Sequence, residues 1–243
     1  MYKLNFKPKC ALLTGIALLQ ILSLTACGDL PLIRVQETVP QDIATTSQVL
    51  KVNHRHKINN LFADGYFEIG EYTITRVKKD STSSTGSRIG PYSQTTSKTG
   101  FQFSIADTQG QWDVRCELRA DGNVLKVFNL DTISQKSKTH CELHGQHGSA
   151  SIDLQEEMDA PVGMVVINQS QYAVRAYSYG NYHPDHMRVP EIYGFRIDDN
   201  GRNLGAIELA NTPGRAWLNP TLDANQKTAM VGILAALLIQ HGS

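Results

Sequence analysis

The chain ends KTAMVGILAALLIQHGS (residues 227–243), and the eleven residues from Ala229 to Ile239 carry no polar side chain. Asp223 followed by Gln226 makes a capping box just upstream, and Gly242 is placed as a C-terminal stop. The spacing therefore predicts a helix of about 18 residues, roughly 27 Å long. Crossing a bilayer takes about 20 predominantly apolar residues, and runs of about 10–14 belong more often to buried core helices. A helix that is apolar all round and does not span must be enclosed by protein. Ala229, Gly232 and Ala236 fall along one stripe where a wall could approach closely. Met230, Ile233, Leu234, Leu237 and Leu238 would fill the roomier sides. The helix reads as a plug.

What encloses it follows from the period of the residues before it. From Asp64 onward the pattern is β: YFEIGEYTITRV is β-branched and alternates Tyr72, Ile74 and Arg76 against Thr73, Thr75 and Val77. FQFSIADTQGQWDVRCEL places Phe101, Phe103 and Ile105 before a turn and Trp112, Val114, Cys116 and Leu118 after it. GFRIDDNGRNLGAIEL repeats the device, with Phe195 and Ile197 before DDNGRN and Leu204, Ile207 and Leu209 after it. Further strands are expected in NVLKVFNLD, SIDLQEE and VGMVVINQSQYAVRAYSYG. Residues 78–100, KKDSTSSTGSRIGPYSQTTSKTG, have nothing to bury and read as a long loop. The fold class expected is mainly β, an antiparallel barrel or curled sheet enclosing a hydrophobic C-terminal helix.

That architecture resembles the tubby C-terminal, LURP-one and phospholipid scramblase group of folds, over roughly residues 65–243. The resemblance rests on the strand spacing, the second hairpin and the final helix. It implies a non-enzymatic domain that binds membrane lipids or proteins. No position here matches a family site residue, so none is carried over.

The N-terminus supplies an address. MYKLNFKPK is a basic leader, CALLTGIALLQILSL an uncharged helix-prone segment, and small residues follow in LTAC. Leu24, Thr25, Ala26 and Cys27 resemble the bacterial lipobox. The resemblance implies cleavage before Cys27, diacylation of its thiol and acylation of its amine. Two or three acyl chains would hold the protein to a membrane, each buried methylene contributing about 0.8 kcal/mol. Gly28 rather than Asp follows the cysteine, which favours the outer membrane, facing the periplasm. The expected organisation is a signal peptide at 1–26, a flexible tether at 27–60 with room for one short helix near Gln41–Val52, and a barrel domain at 61–243.

With Cys10 lost in the leader and Cys27 acylated, Cys116 and Cys141 remain as a pair in an oxidising compartment. In strand phase both point at the core from what could be neighbouring strands, while His140 and Glu142 point the other way. A disulfide fits better than a metal site.

Catalytic motifs are not evident: there is no G-x-S-x-G, H-E-x-x-H, P-loop or G-x-G-x-x-G pattern. DDNGRNLGAIE lacks the glycine of a calcium loop at its sixth position and reads as a turn. His54 with His56, His144 with His147, and His183 with Asp185 and His186 are the histidine groupings. The last suits a zinc site only if a further ligand joins it, and otherwise is a solvated loop. Glu156, Glu157 and Asp159 read as a solvated turn rather than a carboxylate pair for glycoside hydrolysis. Tyr172, Tyr177, Tyr179 and Tyr182 near Arg175 could line a binding surface, or simply a strand face. The chain has 23 basic and 23 acidic residues, and removing Lys3, Lys7 and Lys9 with the leader leaves a net charge of −3. That offers no field for nucleic acid. No cofactor is implied. The expectation is a lipid-anchored envelope protein, with an envelope hydrolase or metal enzyme built on His183–His186 as the alternative.

Overall fold

A computed structural model describes residues 41–55, 65–107, 110–127, 130–156, 161–177, 192–209 and 213–242. The leader, Cys27, the 178–191 segment with His183, Asp185 and His186, and also His56, Glu157, Asp159, Tyr179 and Tyr182, lie outside the described residues.

In chain order the elements are α1 (Gln41–Thr46), β1 (Gln48–Asn53), β2 (Gly65–Ile69), β3 (Tyr72–Lys79), β4 (Ser83–Ile89), β5 (Tyr92–Asp107), β6 (Gly110–Val127) and β7 (Leu130–Gly145). There follow β8 (Gly148–Glu156), β9 (Val162–Ile167), β10 (Ser170–Tyr177), β11 (Gly194–Asp199), β12 (Arg202–Glu208), β13 (Gly214–Leu218) and α2 (Ala224–His241). Every strand pair is antiparallel, and the order runs β3-β2-β1-β13-β12-β11-β10-β9-β8-β7-β6-β5. Pairing of β3 with β5 then closes a 12-strand barrel. Closure satisfies the backbone groups that an open sheet would leave at its edges.

Eight strands make a bore that side chains alone can fill, and a wider ring needs something more. Here it is α2. All twelve residues from Thr228 to Ile239 are buried, and the helix touches β3, β5, β6, β7, β8, β12 and β13, strands drawn from around the ring. Gly232 shows how close the wall comes: a Cβ there would lie 2.5 Å from Leu143 Cδ2 and 2.7 Å from Ile105 Cδ1. The larger residues face the inward side chains of the strands, including Phe67, Phe101, Phe103, Ile152, Phe195 and Ile207, in one continuous core. Burying Met230, Val231, Ile233, Leu234, Leu237, Leu238 and Ile239 contributes on the order of 10–20 kcal/mol before entropy is counted. At the N-terminus the Asp223 carboxylate accepts from Gln226 N–H at 2.8 Å, and Gln226 Oε1 accepts from Asp223 N–H at 3.1 Å. At the other end the Arg55 guanidinium donates to Gly242 O, a cation where the helix dipole is negative.

Both expected hairpins are present. Asp107 pairs with Gly110 across the first turn. In the second, Asn200 and Gly201 carry φ of 50° and 90°, as a type I′ turn requires, between Asp199 and Arg202. Cys116 and Cys141 are directly opposite on β6 and β7, and they form a disulfide inside the barrel.

Two expectations need correction. The stretch assigned to the tether at 27–60 contains α1 and β1, so the helix expected near Gln41–Val52 ends at Thr46 and the barrel includes residues before 61. β1 lies between β13 and β2, with Leu50 and Val52 turned into the core. Ile43 of α1 is fully buried against Ala206 and Trp217 on the outside of the wall. The stretch 78–100 is not a loop. It forms β4 and the first half of β5, which with β6 and β7 run on past the barrel rim as a four-stranded arm. Strands need no apolar face where neighbouring strands satisfy their backbone, and Ser and Thr suit such a solvated ladder.

Candidate functional site

Where the arm leaves the barrel, β5 changes partners. Phe101–Ala106 pair with β3, whereas Tyr92–Lys98 pair with β4. Asp80 N–H donates to Gly100 O at 2.8 Å and bridges the fork. The bend opens a concavity of about 1080 Å³ on the outer surface, lined by residues of the β3–β4 connection and of β5 through β9.

Strand register dictates its chemistry, because directly opposed residues share a face. One row reads Gly100, Glu117, His140, Asp153, Met164 across five strands. The next row toward the arm reads Lys98, Arg119, Lys138, Gln155, Val162. Three cations side by side repel one another, a local choice that folding alone does not favour. Arg119 is relieved by Asp121, with Nε 3.2 Å from Oδ2. Val162 and Met164 leave 57% and 39% of their surface in water at the far side, an apolar rim beside the charged rows.

His140 lies in the first of these rows. Its Nδ1 lies 2.7 Å from Asp153 Oδ1, and its Nε2 lies 3.5 Å from Glu142 Oε1. The hydrogen bond to Asp153 raises its pKa above the ordinary 6.5, against a smaller opposing effect of burial. Both ring nitrogens of His140 therefore face carboxylates. A relay for nucleophilic catalysis would instead offer its second nitrogen to a hydroxyl or thiol. Because the folded-state pKa is raised, protonated His140 stabilises the fold fully below about 6.5, and this is lost as pH rises through the folded value. Asp153→Asn should therefore return the His140 midpoint toward 6.5, read from its ring proton resonances. An unchanged midpoint would contradict the pairing.

The other residues singled out in the sequence disperse. His54 stands 3.7 Å from Glu68 on the opposite part of the barrel, and His144 stands 3.7 Å from Glu142. Glu156 turns to the end of α2, where Gln240 Nε2 reaches its Oε1 at 3.3 Å and His241 Nε2 lies 3.2 Å away. Burial lowers the His241 pKa, and Glu156 partly offsets that. Tyr177 is a wall residue: it is buried and donates to Ile207 O at 3.1 Å. Among the described residues no three His, Cys, Asp or Glu side chains are grouped to hold a metal ion. No described helix is long and apolar enough to cross a membrane. Sequence reasoning placed His140 outside the core but gave it no role; the signal for Asp153 lies only in the β7–β8 register. Comparison with protein-family models, characterised proteins and solved structures finds no match to this chain.

Proposed function

We propose that the protein is a non-enzymatic lipoprotein of the bacterial envelope, held by acyl chains on Cys27, whose barrel binds an envelope protein through the concavity at the base of the arm. The observation that carries this reading is the filled bore. A hollow barrel would hold its ligand inside, but α2 occupies that space, so binding falls to the outer surface, where the fork of β5 opens a concavity of about 1080 Å³. Its mixture of charges favours a polypeptide over a single anionic lipid headgroup. Lys98, Arg119 and Lys138 stand next to Glu117 and Asp153, with Met164 and Val162 as an apolar rim. Methionine and arginine beside such a rim are enriched at protein interfaces.

The test is photo-crosslinking in the native envelope. A photoreactive residue at Met164 should give a discrete protein adduct, and one at Lys51, exposed on the outer face of β1, should not. Cys27→Ser should remove incorporation of a palmitate analogue and, by releasing the protein from the membrane, weaken the Met164 adduct. Equal labelling of the Cys27→Ser variant would refute the anchor. An adduct as strong from Lys51 as from Met164 would refute the site.

A further inference from the structure

Among the described residues the barrel closes on itself, whereas the arm ends in an edge strand. β4 pairs with β5 in unbroken register from Ser83 opposite Lys98 to Ile89 opposite Tyr92, and the strand order ends there. Gly90, at φ 58°, and Pro91 form the two-residue turn, with glycine at the first central position as a II′ turn requires. In such a hairpin the closing pair, Ile89 and Tyr92, is hydrogen-bonded. Ser83, Thr85 and Ser87 then also turn their backbone groups to β5, while Ser84, Gly86 and Arg88 turn N–H and C=O outward. All seven β4 residues are exposed.

Natural edges are blunted by lysine, proline, bulges or a cover. The arm's other edge, β7 ahead of Ser137, carries exposed Lys136. β4 carries no lysine, no proline and no bulge, and its single charge is Arg88 near the tip. We infer that β4 is a dimerisation strand, pairing antiparallel with β4 of a second copy about a two-fold axis through Gly86.

The occupant is argued from self-complementarity. In that register Gly86 meets Gly86, so no side chain stands on the axis. Ser84 of each copy exchanges backbone hydrogen bonds with Arg88 of the other, giving about six ladder bonds in all. Thr85 of one copy lies opposite Ser87 of the other, a favourable hydroxyl pair, and no like charges are opposed. The contact is isologous and closes on itself, so it removes the edge from both copies without propagating a fibre. The two arms become one continuous sheet.

Full-length Gly86→Cys, oxidised in its membrane, should run as a reducible species of twice the chain mass, because the paired Cα atoms would be about 5.5 Å apart, within disulfide reach. Thr95→Cys, one strand inward on the same face, should stay monomeric. Gly86→Pro removes an N–H that β5 does not use. It should leave the barrel's melting unchanged and lower the dimer fraction of the otherwise wild-type chain roughly tenfold, measured by native mass in detergent. A Gly86→Cys chain that stays monomeric, or that links to a different protein, would overturn the assignment. So would a Gly86→Pro chain that folds and dimerises as wild type does.

Discussion

Leu234→Asp, or Leu237→Asp, should leave no cooperatively folded protein. Both leucines are at most 1% exposed in the middle of α2, with the barrel wall around them. Deleting a buried leucine side chain alone costs about 2–5 kcal/mol. A carboxylate in its place has no buried partner, and the effective penalty for an unpaired buried ion adds several kcal/mol more. The sum is comparable to the whole stability of a domain, about 5–15 kcal/mol. Circular dichroism of the purified variants should show no sigmoidal melt. A variant with a wild-type melt would mean that this face of the helix is not enclosed.

The second large effect belongs to the disulfide. Cys116 and Cys141 are 25 residues apart and each only 1% exposed. In the chain-entropy account, opening that loop costs roughly 3–4 kcal/mol through the greater freedom of the unfolded chain. For a domain of this size that corresponds to a melting temperature lower by on the order of 10 °C. Cys116→Ala with Cys141→Ala should show this fall relative to the oxidised protein, while keeping the same far-ultraviolet spectrum. The native ladder between β6 and β7 holds the pair in register without the bond, so the loss is one of stability and not of fold. Equal melting temperatures would contradict the loop-entropy account.

How far the sequence carries can be read from particular elements. The plug was legible because an apolar run too short for a bilayer has few places to go, and Asp223 with Gln226 marks its start. The two hairpins and the inward phase of Cys116 and Cys141 were legible because one face of each strand is buried, so alternation records the core. β1 escaped because its alternation spans only Leu50 and Val52, after residues with no period. In the arm, β4 and the outer half of β5 escaped for the opposite reason: Ser84, Thr85, Thr95 and Ser97 lie on strands solvated on both faces, where no hydrophobic period can form. The concavity was not legible at all. Lys98, Arg119 and Lys138 become neighbours only through the registers of β5, β6 and β7, and register between distant strands leaves no mark in a single sequence.

The central claim is that α2 is the filling of the barrel, and removing it tests that claim most directly. A chain ending at Leu222 keeps the thirteen described strands and loses the cap and the helix. Its thermal unfolding, followed by circular dichroism and tryptophan fluorescence, should show no cooperative transition, because the bore would be left lined with Phe67, Phe103, Ile152 and Phe195 and nothing to cover them. A soluble fragment ending at Leu222 that melts cooperatively would contradict the plug, and with it the placing of function on the outer surface.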